Sequence, residues 1–267
     1  MKTLKLVPST PDFKFVRYNR RAFVVSSVLI IGSLVAFLMQ GLNFGIDFKG
    51  GILVEISSPE PVNIGNLRGR MQTFELGEVQ IQQFGTPTDV LIRVAEADGA
   101  VSTERDLSAV NSIRQDLEGE FEIRRVEIVG PQVSRELIQT GLLAVVAAIS
   151  SMLIYIWFRF EWQFSVGAVM ALVHDVILTI GIFSLLQLDF NLSILAAILT
   201  IVGYSMNDTV VVYDRVRENL RKYKKMDISE LLDIAINQTL SRTVITSVTT
   251  LLALIALYAL GGEVIRG

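Results

Sequence analysis

Two polar residues, Asn207 and Asp208, interrupt a strongly apolar run that begins near residue 191 and continues to Tyr213. A carboxylate inside hydrocarbon costs at least ~2.5 kcal/mol on insertion scales, so a partner or a function must offset that cost. Arg242 opens the next apolar segment and is the cation that we expect to pair with Asp208. A nearby cation favours the ionised carboxylate, so we expect these two residues to lie at the centre of what the protein does.

A second polar pair, His174 and Asp175, lies about twelve residues into the apolar run 164–186, near the middle of a bilayer. Adjacent residues project about 100° apart on a helix, so the two side chains point in different directions. One interpretation is a proton relay. The other is a buried polar pair that hydrogen-bonds to a neighbouring helix, as intramembrane polar residues commonly do.

Hydroxyl side chains continue from Arg242 along one helix face, through Thr246 to Thr249 and Thr250. A cation followed by a row of hydroxyls suits a polar path between helices. In the alternative interpretation, Arg242 extends to the membrane surface and the threonines bond to carbonyls of their own helix. The row is two turns deep, which favours the polar path.

These residues depend on long apolar helices to position them. The chain has 267 residues, 51% of them hydrophobic, and the apolar residues cluster in blocks. Five blocks approach the ~20 residues that cross a bilayer, and backbone groups in lipid must be satisfied within a helix. The blocks are roughly 21–40, 137–157, 164–186, 191–213 and 241–260. The fold class is therefore a polytopic α-helical membrane protein.

Cysteine is absent and His174 is the only histidine, which excludes disulfides and thiolate metal sites and leaves little scope for a histidine metal site. We predict no metal, no cofactor, no enzymatic chemistry and no nucleic-acid binding.

Positive charges set the orientation, because cytoplasmic segments carry more lysine and arginine. Residues 1–21 and the segment 214–240 are basic, and Arg159 lies in a short turn on the same side. The first region is predicted to be a mobile or interfacial lead-in before membrane helix 22–40. Residues 41–136 then lie on the opposite, extracytoplasmic face, and 137–267 carry the other four helices.

The extracytoplasmic domain alternates strand-like and helix-like runs. Strands are predicted at 51–57, 79–84, 89–95 and 121–129, and helices at 62–73 and 103–118. Thr86-Pro87-Thr88 is predicted as a turn, and Ser102 or Thr103 as a helix cap. The order β-α-β-β-α-β is typical of a ferredoxin-like α+β domain. No catalytic group stands out in it, which favours an interaction or mechanical role.

Three further features complete the prediction. Gly45, Asp47, Gly50 and Gly51 follow the first apolar helix, and we expect a tight turn there that fixes the outer domain to that helix. Residues 227–239 show the pattern of a separate amphipathic helix on the inner membrane surface. Asp214, close to the interface, is interpreted as an ordinary solvated charge.

Several motifs, in one order and spacing, together resemble the SecF family, the accessory membrane subunits of bacterial Sec protein export. They are Gly45-Ile-Asp-Phe-Lys-Gly-Gly51, Gly130-Pro131, Phe158-Arg-Phe-Glu-Trp162, His174-Asp175, Gly203-Tyr-Ser-Met-Asn-Asp-Thr209 with Asp214-Arg-Val-Arg-Glu-Asn219, and Arg242-Thr-Val-Ile-Thr-Ser247. The resemblance covers almost the whole chain.

The resemblance implies a bundle like that of RND transporters and a location in the inner membrane. Its implied partners are membrane lipid, the translocating preprotein, SecD, the SecYEG translocon, a YidC-type insertase and a YajC-type small subunit. It also implies that Asp208 and Arg242 belong to a proton path, with Asn207, Thr246, His174 and Asp175 as the neighbouring candidates. SecF proteins have a sixth membrane helix, and the tail that ends at Gly267 normally leads into it.

Three functions follow as hypotheses. The first is a subunit that, with SecD, uses the proton-motive force for late-stage translocation of polypeptides. The second is a scaffold without transport activity that holds translocon and insertase subunits together. The third is half of an RND-type exporter of small molecules, against which the single compact outer domain argues.

Overall fold

The computed structural model describes residues 11–74, 79–84, 86–94 and 103–261. A short 3-10 turn, Val16–Tyr18, comes before the first long helix. The elements that follow are α1 (Asn19–Gln40), β1 (Asn43–Phe44), α2 (Ile46–Lys49), β2 (Gly51–Ser57), α3 (Ile64–Gln72), β3 (Val79–Phe84), β4 (Thr86–Val94), α4 (Thr103–Leu117), β5 (Glu122–Val129), α5 (Pro131–Arg159), α6 (Trp162–Leu186), β6 (Asp189–Phe190), α7 (Leu192–Lys222) and α8 (Ile228–Leu260).

Five helices in the described part of the chain are long and apolar enough to cross a membrane: α1, α5, α6, α7 and α8. Their apolar side chains are largely exposed; α1, for example, has no buried residue. An apolar surface of this extent requires lipid or a protein partner rather than water. The five predicted spans are therefore confirmed, and the protein is a polytopic helical membrane protein.

Two compact units divide the chain. The first contains the described parts of Met1–Val35, Leu153–Thr179 and Thr200–Gly267, and the second contains Ala36–Met152 and Ile180–Leu199. The first unit holds the intramembrane polar residues that the sequence singles out. The second holds the α+β elements.

A four-stranded sheet in the second unit has the order β3-β4-β2-β5, with every neighbouring pair antiparallel. Its strands lie where the sequence predicts them, but β4 begins earlier, at Thr86, so the predicted turn Thr86-Pro87-Thr88 is wrong. β4 pairs with β2 only from Asp89 onward. Pro87, which has no N–H to donate, therefore precedes that ladder and does not interrupt it.

The core of the α+β elements lies between this sheet and two helices. Alternate residues of the inner strands point to one face and are almost fully buried, as the period of two in a strand requires. The helices contribute apolar residues at helical spacing. The principal members are Val54, Ile56, Leu67, Met71, Val90, Ile92, Ile113 and Leu117. The predicted cap at Ser102 or Thr103 lies outside the described side chains.

Asp89 is a buried carboxylate at the start of the β2–β4 ladder. The Ser57 and Thr86 hydroxyls donate to it at 2.7 and 2.6 Å, and an Arg124 guanidinium nitrogen lies 3.1 Å away. Burial by itself raises the pKa of Asp89, but the hydrogen bonds and the positive charge outweigh it and lower the pKa below its ordinary value.

The predicted glycine turn contains a short helix, α2, and makes contacts beyond α1. β1 pairs in parallel with β6, and the Gly45 N–H donates to the Phe190 carbonyl at 2.8 Å. A Cβ on Gly45 would lie 3.4 Å from that carbonyl oxygen, at van der Waals contact. Gly50 and Gly51 have φ of +75° and +114°, which glycine adopts most readily.

In the first unit, one uninterrupted helix replaces two predicted elements. α8 runs from Ile228 to Leu260, so the separate amphipathic helix at 227–239 is wrong. The apolar side chains of residues 227–239 pack against α7, where Leu231 and Ala235 are buried with Val216. Most of the basic segment 214–240 is helical, because α7 continues to Lys222 and only five residues separate it from α8.

The described end of the N-terminal segment contacts α8. The Asn237 side chain both accepts from the Phe13 N–H at 3.1 Å and donates to the Phe13 carbonyl at 2.8 Å. Asp233 accepts from the Val16 N–H at 2.8 Å. Two polar side chains of α8 thus bind the backbone of these residues, and the interpretation of 1–21 as a mobile or interfacial lead-in stays a prediction.

Candidate functional site

Asp175 connects α6 to α7. One of its carboxylate oxygens lies 3.0 Å from Nδ1 of His174, and the other accepts from the Ser205 hydroxyl at 2.5 Å. His174 and Asp175 are adjacent on α6, and their side chains contact each other although their directions diverge. The contact with α7 is the one expected of a polar pair bonded to a neighbouring helix. The same geometry, a titratable ring beside a carboxylate, is also what a proton relay needs.

Asp208 connects α7 to α8. Its carboxylate accepts a hydrogen bond from the Thr243 hydroxyl at 3.2 Å. The predicted ion pair with Arg242 is absent from the described residues, and Arg242 is exposed on the surface of the chain. Because Thr243 faces α7, the residue before it projects about 100° away around the helix axis.

The remaining candidates lie around this contact. Asn207 is exposed, and the Tyr204 hydroxyl interacts with Thr246 and Thr250 of α8. The Thr246 hydroxyl donates to the Arg242 carbonyl at 3.1 Å, and Thr249 donates to the Ile245 carbonyl at 2.9 Å. These two threonines thus bond to carbonyls of their own helix, as in the interpretation that the sequence disfavoured.

Asp214 is not an ordinary solvated charge. Both of its oxygens lie 2.8 Å from one guanidinium nitrogen of Arg159, at the end of α5. Close by, Gly167 of α6 faces Tyr213, whose hydroxyl would lie 2.5 Å from a Cβ added to the glycine. The ion pair and this close approach connect α5 and α6 to α7 at one end of the first unit.

The motif around Gly45 forms a separate group of contacts in the second unit. The Asp47 carboxylate accepts from the Leu192 N–H at 2.9 Å, at the beginning of α7. The Asn43 amide donates to Asp189 of β6 at 2.9 Å, and Arg93 of β4 forms an ion pair with Asp189. The motif therefore connects the sheet to the α6–α7 connection, beyond the predicted contact with α1.

Sequence reasoning missed two of the residues that complete these contacts, Arg93 and Thr243, and it placed Ser205 near Asp208 without predicting its bond to Asp175. Arg93 carries a detectable signal, since it is a charge within the apolar strand Leu91-Ile92-Arg93-Val94. Ser205 is three residues from Asp208 and Thr243 follows Arg242, so both lie beside the polar residues of the two apolar segments. Hydroxyls are common in membrane helices, and their types alone do not identify them as partners of a carboxylate.

Five membrane helices with an α+β insertion, and carboxylates bonded between helices, define a polytopic membrane protein with intramembrane titratable groups. Two family models match the chain: "Protein export membrane protein SecD/SecF, C-terminal" over residues 109–267, and "SecD/SecF GG Motif" over residues 35–58.

Relatives match over nearly the whole chain. Protein translocase subunit SecF of Rickettsia felis is 45% identical over 270 residues, which cover 98% of this chain and 85% of the relative. SecF of Rhodobacter capsulatus is 45% identical over 277 residues, covering 99% and 83%. The chain belongs to the SecF family.

Solved structures of SecDF share the fold. The crystal structure of SecDF from Thermus thermophilus matches with a TM-score of 0.85 and 35% identity, over 96% of this chain. A structure of SecDF in a super-membrane-facing form matches with a TM-score of 0.62 and 34% identity. This chain spans 35% of the length of each of those SecDF chains. The predicted tail that would lead to a sixth helix lies, after Gly261, outside the described residues.

Proposed function

We propose that this protein is a non-enzymatic subunit of a Sec protein translocase that, with SecD, uses the proton-motive force to promote late-stage translocation of polypeptides. The names of its relatives, protein translocase subunit SecF, support the process. The SecDF structures support SecD as the partner. SecYEG, a YidC-type insertase and a YajC-type small subunit complete the proposed assembly in the inner membrane.

Asp208 is the proposed proton carrier. It is the carboxylate that α7 presents to α8 within an apolar segment, and its partner is a hydroxyl. A hydroxyl donates to a charged carboxylate and accepts from a protonated one, so Thr243 can bond to both forms. The contact between the two helices therefore need not break when the proton is gained, although its geometry and strength change.

Arg242 and Asn207 are also assigned to the proposed proton path, although neither is part of the hydrogen bond between Asp208 and Thr243. Both are exposed on the chain, at the level of a membrane helix where lipid is a poor neighbour for polar groups. A protein surface that supplies polar partners, such as that of SecD, accounts for their exposure. His174 and Asp175 form a second proposed group, which Ser205 connects to α7 three residues before Asp208.

The proposed topology follows the distribution of lysine and arginine, with the N-terminus in the cytoplasm and residues 41–136 in the periplasm. We also assign the α+β elements to the ferredoxin-like class. The strand order β3-β4-β2-β5 and the element order β-α-β-β-α-β support this assignment. In the proposed function this domain holds emerging polypeptide while protonation biases the helix bundle between two states.

The carboxylate of Asp208 between α7 and α8 is the observation that carries the proposal. Its test is export of a secreted protein in cells whose only copy carries Asp208→Asn, with the proton gradient intact or collapsed. We expect the variant to remove the gradient-dependent part of export at normal protein levels. The matched control is Asp214→Asn, on the same helix, where the carboxylate pairs with Arg159. We expect this variant to retain the gradient-dependent part of export.

The scaffold alternative rests on the same contacts, because interhelical hydrogen bonds also hold helices together without proton transfer. The scaffold alternative predicts a different result in the export experiment with Asp208→Asn. If Asp208→Asn exports as wild type does under both conditions, while deletion of the protein impairs export, Asp208 is structural and the protein is a scaffold.

A further inference from the structure

An apolar cleft of about 390 Å³ lies in the second unit beside the glycine motif. We call it the outer cleft and define it by Phe44, Phe48, Ile138, Leu142 and Phe190. The three phenylalanine rings contact one another with centroids 5.7 to 5.9 Å apart and form one wall. Its volume is within the range of ligand pockets, and nothing in the proposed proton chemistry uses it.

Candidate membrane helices contribute residues to the outer cleft. Two of its residues, Ile138 and Leu142, belong to a candidate span of α5, and Leu195, which also lines it, lies within the first turn of α7. Leu142 is 62% exposed, so the cleft opens on the apolar outer surface of the helix. Lipid chains or an apolar surface of a partner protein can meet such an opening.

One cation, Lys49, lines the outer cleft. Lys49 is exposed, and its ammonium forms no ion pair with any of the residues that the structure describes. It ends α2, close to the boundary between the sheet and the membrane helices. An ammonium beside an apolar cleft at a membrane boundary complements a phosphate group with an acyl chain attached.

The chemistry of the lining favours an acyl chain over a polypeptide. An extended peptide brings N–H and C=O groups that need partners, and a wall of phenylalanine, leucine and isoleucine side chains offers none. An acyl chain needs only apolar contact. We propose that the outer cleft binds one acyl chain of an anionic phospholipid, with its phosphate paired to Lys49. This proposal does not depend on proton transfer at Asp208.

The experiment uses the full chain in nanodiscs that contain phosphatidylglycerol and phosphatidylcholine, followed by native mass spectrometry of the released protein. We expect retained phosphatidylglycerol in excess of phosphatidylcholine. Lys49→Gln should lower that preference about fivefold, the effect of one lysine near a charged lipid surface. Lys49→Arg should retain it, and Lys225→Gln, which removes a lysine far along the sequence, should leave it unchanged.

A second pair of variants tests the apolar part. Leu142→Trp should fill the outer cleft and reduce retention of both lipids, whereas Leu185→Trp, at a similarly exposed leucine that does not line it, should not. If Leu142→Trp does not fold, Ile138→Trp takes its place.

Three results would overturn the proposal. The first is a wild-type lipid preference in Lys49→Gln, and the second is equal lipid retention in Leu185→Trp and in the tryptophan variant of the cleft. The third is the formation of polypeptide adducts by a photocrosslinker at position 142. The last result would assign the cleft to translocating chains instead.

Discussion

The carboxylate of Asp47 accepts a hydrogen bond from the backbone N–H of Leu192, 145 positions later, at 2.9 Å. Leu192 is the first residue of α7, and the N–H groups of a helix's first turn have no partner within the helix. Asn191 accepts from the Ile194 N–H at 3.0 Å, so two of these groups are satisfied by side chains. A residue of the glycine motif thus caps a membrane helix distant in sequence.

Replacing this cap should destabilise the protein by a measurable amount. We expect Asp47→Ala to lower the free energy of unfolding by about 1 kcal/mol, and Asp47→Asn by less, because asparagine caps nearly as well. Denaturation in detergent measures both, with Glu60→Ala at an exposed site as the control. Equal stability of Asp47→Ala and Glu60→Ala would show that the capping bond contributes nothing.

The conformation of Gly50 gives a second prediction. Its φ of +75° and ψ of 172° belong to a region that residues with a Cβ avoid. Gly50→Ala should therefore cost about 1–3 kcal/mol, and it should accelerate hydrogen exchange of the β2 amides that follow.

Gly32→Ala is the matched control for Gly50→Ala, because a Cβ at Gly32 meets nothing within 4 Å in the described structure and α1 is helical there. Helix propensity predicts no loss of stability and a gain of up to about 1 kcal/mol. A similar loss in both variants would argue against backbone strain at Gly50.

Asp89 predicts how the stability of the α+β domain depends on pH. Its folded pKa is lowered, so its contribution is fully present above the ordinary value of 3.8 and is lost as the pH falls through the lower folded pKa. Asp89→Asn should cost about 1–3 kcal/mol at neutral pH, since the ion pair between Arg124 and the Asp89 carboxylate is lost. The difference from wild type should shrink as the pH drops below 3.8.

Unfolding curves at neutral and acidic pH measure this difference. The control is Glu118→Gln, which removes an exposed carboxylate of the same domain. A constant gap between Asp89→Asn and wild type across the pH range would contradict the assigned linkage.

The contact of Asn237 with Phe13 predicts protease protection. Asn237→Ala removes two hydrogen bonds to the Phe13 backbone, each worth about 1 kcal/mol, and should increase tryptic cleavage at Lys14 and Arg17 about tenfold or more. Limited trypsinolysis with detection of the N-terminal fragment measures the rate. Ser241→Ala, at an exposed position of the same helix, should cleave at the wild-type rate.

Sequence patterns were sufficient for the elements whose physics is local. Apolar length predicts the five spans, and the strand-like run 51–57 coincides with β2. Asp208 was found because a carboxylate in an apolar helix is costly wherever the helix packs. That argument needs no knowledge of the partner.

The partners of these residues could not be predicted in the same way. Choosing Thr243 over Arg242 for Asp208 depends on the rotation of α8 about its axis, which packing of Leu231 and Ala235 sets. The pair of Asp214 with Arg159 joins residues 55 positions apart. The polar residues near 241 suggested a new helix start, but hydrogen bonds along the backbone continue through them.

The continuity of α8 has a mechanical consequence. Its 33 residues form a rod of about 50 Å, whereas the hydrocarbon core of a bilayer is about 30 Å thick. Asn237 and Thr243 are six residues apart on that rod, one bonded to the N-terminal segment and the other to Asp208. A rotation of α8 that loosened the Thr243 contact would exert torque on the Phe13 backbone through Asn237. In the proposed function, a change in the protonation state of Asp208 that rotated α8 would therefore also strain the contact with the N-terminal segment.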